Sequence, residues 1–270
     1  MIRRAFLVVL GLIWLGPTYL LLVNASRPPD SYDSSRAWIP SPDMALFTNF
    51  AQAWESANLQ ESLASTALYS VVSPALGVLI GAMAGYTIVV LRLRYGFWWF
   101  MLLFGGTIFP SQMLLVPLFV GFSDAGLYDS RFGMILVYTA ISVPLSAFVL
   151  RNFFTGVAFS IFEAARMDGA STFRVFWRVY LPLATSALAA VFILNFTFIW
   201  NDLLFGLTLT QTAEVRPVMT ALAGLVTDVY AGTPVPVGLA AGLVVSLPTV
   251  VLFVATQRMF ARGLALGGLS

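Results

Sequence analysis

The residues able to do chemistry are scarce in this chain, and the absent types exclude most reactions. Histidine, cysteine and lysine are missing altogether, so the fourteen basic residues are all arginine, set against twelve carboxylates. A zinc site and a Ser–His or Cys–His nucleophile both need side chains that are not there. Disulfides, iron–sulfur clusters and thiol catalysis go with the cysteines. A phosphate-cradling loop of the GxxxxGK[ST] kind needs its lysine, so the chain does not hold ATP in that way. The expectation is a protein that is not an enzyme and that binds no metal or cofactor itself.

Two polar groups survive this elimination. The first is Glu163-Ala164-Ala165-Arg166-Met167-Asp168-Gly169-Ala170, in a polar stretch between two strongly apolar segments. Ser160 and Glu163 fit the capping box S-x-x-E, in which the two side chains satisfy each other's orphan backbone N–H groups. Ala164 and Ala165 give that helix a slim surface suited to a cleft. Gly169 suits the left-handed position that ends a helix. Ser171 is then placed to cap a second helix, with Phe173, Phe176, Trp177 and Tyr180 toward one side and Arg174 and Arg178 toward another. An amphipathic anchor lying along a membrane would account for the aromatics and arginines. It leaves Glu-Ala-Ala and Asp-Gly-Ala without a reason.

The second group is Asn195, Trp200, Asn201 and Asp202, with Gln112 following Pro110 elsewhere in the chain. Polar residues within membrane spans are costly and face a bundle interior or a water-filled cavity. These five are candidates for a solute pathway, with Trp200 offering an aromatic face to a sugar ring. Hydrogen bonding between helices is the competing reading of the same residues.

The elements that must position both groups are membrane helices. Hydrophobic residues make up 59% of the chain and charged ones 10%, whereas a soluble domain carries about 25% charged residues. A span needs roughly 20 mainly apolar residues, and six segments qualify: residues 5–23, 65–90, 96–122, 132–154, 183–207 and 237–259. The first is longer than a signal-peptide core of about 7–15 residues and is read as retained. In lipid each must be helical, because unpaired backbone groups there cost several kcal/mol. The fold class expected is therefore an all-α membrane protein of one transmembrane domain, with the first polar group on a loop over residues 155–182.

Alternating six spans sorts the arginines. Arg3, Arg4, Arg92, Arg94, Arg151, Arg166, Arg174, Arg178, Arg258 and Arg262 fall on one side, and Arg27, Arg36, Arg131 and Arg216 on the other. The richer side is the cytoplasmic one, which puts both termini and the 155–182 loop in the cytoplasm. The long outer loops, 24–64 and 208–236, hold helix-like runs at 47–63 and 218–229. They read either as connectors or as a docking surface. In the second span Gly77, Gly81 and Gly85 share one face and admit close approach of another helix; Gly238 and Gly242 hint at the same in the last span.

The run from Glu163 to Ala170, followed by Phe173, Phe176, Val179 and Leu181-Pro182-Leu183, resembles the EAA loop of binding-protein-dependent ABC importer permeases. The fuller pattern is similar to their carbohydrate branch, the family of the maltose permease subunit MalG. Glu61-Ser62-Leu63 resembles the Asn-Ser-Leu before the second span, and Trp200-Asn201-Asp202 the fifth-helix Trp-Asn-Asp/Glu. Gln257-Arg258 with the glycine-rich 263–268 run resembles the family's C-terminal end. The likeness extends from about residue 38 onward and departs from the pattern at Glu61 and Ser186.

This resemblance implies a MetI/MalG-like permease fold and a bacterial inner-membrane subunit paired with a second, homologous permease. Glu163, Ala164, Ala165, Asp168, Gly169 and Ala170 would dock on a dimer of ATPase subunits, which hold the ATP and Mg. An extracytoplasmic solute-binding protein would deliver a sugar or oligosaccharide, with another small polar solute as the alternative. No nucleic-acid partner is implied. A self-sufficient channel or carrier would show charges inside the bundle or an inverted repeat, and neither stands out in the sequence.

Overall fold

The computed structural model describes residues 2–107, 110–227 and 233–267, with side chains described between 4 and 256. Among them there is helix and no strand. In chain order the helices are α1 Ile2–Ala25, α2 Leu46–Ser56, α3 Leu59–Val89, α4 Gly96–Gly105, α5 Ser111–Asp124 and α6 Arg131–Thr155. They continue as α7 Ser160–Met167, α8 Thr172–Leu183, α9 Thr185–Trp200, α10 Leu204–Leu209, α11 Val218–Thr227 and α12 Val235–Gly267.

Four helices are continuous and apolar over a full span: α1, α3, α6 and the Val235–Thr256 part of α12. The third expected span is not one helix. It divides into α4 and α5, of 10 and 14 residues, with Pro110 at the head of α5. Proline lacks the N–H that would continue the ladder. The fifth expected span also differs. α9 stops at Trp200, residues 201–203 break the helix, and residues 204–207 belong to the separate α10. The helix expected over 47–63 ends at Ser56; Asn58, at φ 48°, turns the chain, and 59–63 open α3 instead. Residues 228–232, within the second outer loop, and Gly268 lie outside the described residues, as do the side chains of Gln257, Arg258 and Arg262.

α3 and α6 form the axis of the fold, and the glycine stripe explains their contact. A Cβ on Gly77 would sit 2.4 Å from Ser142 Cβ, one on Gly81 2.5 Å from Ser146 Cβ, and one on Gly85 2.8 Å from the Arg151 nitrogen. Only glycine lets the backbones come this close. In α12 the hint fails: a Cβ on Gly242 would meet nothing within 4 Å, and one on Gly238 only Val226 at 3.8 Å.

Three buried clusters hang on this axis. At the arginine-rich end Val78, Ala82 and Tyr86 of α3, with Val90 just after it, meet Leu150 and Phe154 of α6, Val175, Phe176 and Tyr180 of α8, and Val191 of α9. Tyr69, Tyr138, Phe205 and Val215 form the second cluster, and Ala53, Leu59, Trp200, Val218 and Val245 the third. Both outer loops are tied down. Asn49 Nδ2 donates to the carbonyls of Ala25 and Arg27 at 2.8 and 2.7 Å, and buried Arg27 reaches the carbonyls of Arg36 and Ile39. Tyr69 donates to the Val215 carbonyl at 2.8 Å, and Asp129 accepts the N–H groups of Gln211 and Thr212 at 2.8 and 3.1 Å.

Candidate functional site

α7 is short and has no buried residue. Its underside is fixed by Phe162, Ala165 and Ala170, which pack against the first cluster. Glu163, Ala164, Arg166, Met167, Asp168 and Gly169 are exposed. The capping box does not form: Ser160 is already helical, Phe159 holds the cap position, and no side chain caps it. Glu163 is thereby left out of the capping arrangement. Gly169 takes φ +77°, and Arg166 Nη1 donates to the Ala170 carbonyl at 2.7 Å, closing the turn. Ser171 then accepts the Arg174 N–H at 3.3 Å, the expected cap of α8.

α8 is the mount. It widens into a π-helical stretch over Phe176–Tyr180, meets α9 at 76°, and bends at Ala184. The expected single aromatic face splits. Phe176 and Tyr180 are buried, whereas Phe173 and Trp177 are exposed and pair edge-on at 5.9 Å. The helix is turned so that the core takes Val175, Phe176 and Tyr180. Tyr86 of α3 is the hub, with ring centroids 5.1 Å from both Phe176 and Tyr180 and its hydroxyl donating to the Thr172 carbonyl at 3.1 Å. These contacts fasten α8 to α3, the helix that forms the axis of the bundle.

The second polar group is not gathered around a common opening. Asp202 is buried, accepting from the Tyr138 hydroxyl at 2.9 Å and from the N–H groups of Phe205 and Gly206 at 3.1 and 3.2 Å. It stitches the break between α9 and α10. The Trp200 ring is also buried, stacked on Phe196 at 5.6 Å, with Nε1 donating to the Val245 carbonyl at 3.0 Å. Its face is not open to a sugar ring in this conformation. Asn195 donates to Ser146 Oγ at 3.1 Å, joining α9 to α6. Asn201 is exposed with Nδ2 on the Thr197 carbonyl at 2.8 Å, and Gln112 is exposed near the head of α5.

Two exposed features of the first region were not singled out from the sequence. Met167 is 88% exposed beside Asp168, and Arg92 lays its guanidinium 4.1 Å from the Phe159 ring centre, at the head of α7. An unbranched apolar residue in a polar turn was the available signal for Met167. The Arg92 contact had none, because 67 positions separate the partners.

The family described as binding-protein-dependent transport system inner membrane component matches residues 77–265, a stretch holding α6 to α9 and the exposed turn. The chain belongs to that family. Among relatives of this permease, the melibiose/raffinose/stachyose import permease protein MelC of Bacillus subtilis is 32% identical over 252 residues, 93% of this chain and 90% of that protein. The trehalose transport system permease protein SugB of Mycobacterium tuberculosis is 31% identical over 252 residues, covering 92% and 90%. A chain from the crystal structure of a bacterial ABC transporter involved in the import of the acidic polysaccharide alginate superimposes with a TM-score of 0.80 over 95% of this permease and 94% of that chain, at 22% identity. At that identity the likeness speaks for the fold.

Proposed function

We propose that this chain is the permease subunit of an ATP-driven importer for a sugar or oligosaccharide, and that α7 is its mechanical input. Supporting the solute class are relatives named for melibiose, raffinose, stachyose and trehalose. The observation that carries the mechanical part is the pairing of an exposed turn with a buried mount. α7 presents Glu163, Ala164, Asp168 and Gly169 outward, while Tyr86, Phe176 and Tyr180 tie its neighbour α8 to α3.

In this reading both termini and α7 lie in the cytoplasm, as the arginine distribution favours. A separate ATPase dimer holds ATP and Mg, and its cleft takes α7. Glu163 meets an arginine of that cleft, Ala164 lets the helix lie close, and Met167 fills an apolar recess. Residues 155–182 act as one coupling unit within a single transmembrane domain, and closure of the ATPases reorients this permease against a homologous second one. The solute-binding protein docks on the outer loops, where Trp38, Ile39, Met44 and Phe47 are exposed on a braced segment. Asn201 and Gln112 are the polar side chains placed to meet the solute; Asn195, Trp200 and Asp202 shape the path by holding the helices.

Charge reversal at Glu163 tests the coupling role. Glu163→Lys should abolish uptake, at least a hundredfold, with membrane insertion and thermal stability unchanged, because the side chain is exposed. Full uptake together with normal co-purification of the ATPase would overturn the proposal.

A further inference from the structure

The turn between α3 and α4 carries charges that meet no carboxylate among the described side chains. Arg92 and Arg94 are both exposed. Among the described side chains the one ion pair is Arg36 with Asp33, on a different loop. Three arginines at this end are held over aromatic rings instead: Arg92 over Phe159 at 4.1 Å, Arg94 over Tyr95 at 5.0 Å and Arg151 over Phe100 at 4.9 Å. A ring face orients a guanidinium without neutralising it; Arg94 Nη2 also donates to the Tyr95 hydroxyl at 3.1 Å, and the remaining N–H donors keep their affinity for an anion. The turn is also shaped at a cost, since Arg92 and Tyr95 both take left-handed backbone, at φ 52° and 61°. Positive φ is unusual for such residues.

Beside this turn lies an apolar groove of about 420 Å³ between α3 and α4, lined by Ile80, Met83, Ala84, Thr87, Leu93 and Trp99 among others. It runs along spanning helix α3 and ends at Leu93, flanked in sequence by the two arginines. Trp98 and Trp99, in the first turn of α4 just after the arginines, are exposed, and tryptophan is enriched at membrane interfaces.

From this charge complementarity we propose that the groove and turn form a binding site for an anionic glycerophospholipid. One acyl chain lies in the groove, and the phosphate is met by Arg92 and Arg94. Because Arg92 also stacks on Phe159, which opens α7, the bound headgroup bears on the orientation of that helix. This last consequence rests on the coupling role proposed above; the lipid site does not.

The test is native mass spectrometry of the detergent-purified protein, titrated with phosphatidylglycerol, phosphatidylcholine of the same chains, or inorganic phosphate. Phosphatidylglycerol should be retained at least tenfold better than phosphatidylcholine, and millimolar phosphate should not displace it. Each arginine should contribute about fivefold, the equivalent of the ~1 kcal/mol per basic residue near an anionic surface. R92Q/R94Q should therefore lose on the order of 25-fold in affinity, R94K should keep most of it, and A84F, which fills the groove, should also weaken binding. Circular dichroism and monodispersity check that each variant is folded. Undiminished binding by the double variant or by A84F overturns the site, as does full competition by phosphate. Binding by the isolated chain that vanishes in the assembled transporter overturns it too, since the groove would then belong to the second permease. If the lipid binds as expected while Glu163→Lys proves harmless, the coupling reading fails and the lipid site stands.

Discussion

The two polar groups of this permease sit in opposite circumstances. Around Glu163 and Asp168 the carboxylates are exposed on a helix with no buried residue. Around Asp202 the carboxylate is buried and accepts three donors from the chain itself. A buried polar group must be satisfied by its own fold, because leaving it unmade costs ~1–3 kcal/mol. An exposed group on a rigid mount is spared that demand and is left available to a partner. Both groups are rare polar islands in an apolar sequence, yet the first faces outward to another protein in our reading, while Asp202 of the second is turned inward and holds a broken helix.

The axis joining the two regions is where the largest effect is expected. Gly81→Leu would force a side chain into Ser146 and the Ala147 backbone, now 2.5 and 2.6 Å from an ideal Cβ. Overpacking costs ~1–3 kcal/mol and more where backbone must move. Loss of monodisperse protein in size-exclusion chromatography is the expected outcome, and a normal elution profile would show that the helices part easily.

Asp202→Ala comes next and puts the comparison at risk directly. It strands the Tyr138 hydroxyl and two N–H groups, so the melting temperature in detergent should fall by the equivalent of ~2–4 kcal/mol. Uptake should fall only as far as folded protein does. Stable protein with lost uptake would move Asp202 from scaffold to solute path.

Tyr86→Phe removes one hydrogen bond, to the Thr172 carbonyl, and keeps the ring packing. A stability loss of about 1 kcal/mol is expected, with faster hydrogen exchange confined to α7 and α8. Uniform exchange across the bundle would deny that Tyr86 is a local mount.

The smallest effect concerns pH. Burial raises the pKa of Asp129, but the N–H groups of Gln211 and Thr212, the Thr212 hydroxyl and nearby Arg216 outweigh it and hold the carboxyl below its usual 3.8. A depressed folded-state pKa stabilises fully above the unfolded value and loses that stabilisation as pH falls through the folded one. Melting curves of the native protein and Asp129→Asn should thus differ slightly at neutral pH, begin to close as pH falls past about 4, and meet only below the depressed pKa of the folded state. A gap that persists there would assign the effect to something other than ionisation.

Much of the fold was legible before any coordinates. Four long apolar runs became four continuous helices because lipid leaves the backbone no other choice. The i, i+4, i+8 glycines announced the contact of α3, though not its partner. Gly169 and Ser171 announced the turn after α7. What was misread turned on local competition. Pro110 split a run that composition alone would have continued, and Ser160 was drawn into the helix, leaving Glu163 out of a capping box. Trp200 and Asp202 look the same in sequence whether they face a solute or the protein.

The sequence by itself determined that this is a helical membrane protein lacking histidine, cysteine and lysine, arginine-rich at one end, and bearing a polar run between two apolar segments. Those properties follow from residue types and short spacings, which act locally. Tertiary structure alone decided that Asp202 is held by Tyr138, that Tyr86 grips the mount of α7, and that Arg92 stacks on Phe159. Each joins residues more than sixty positions apart, where the partner is chosen by how the helices pack.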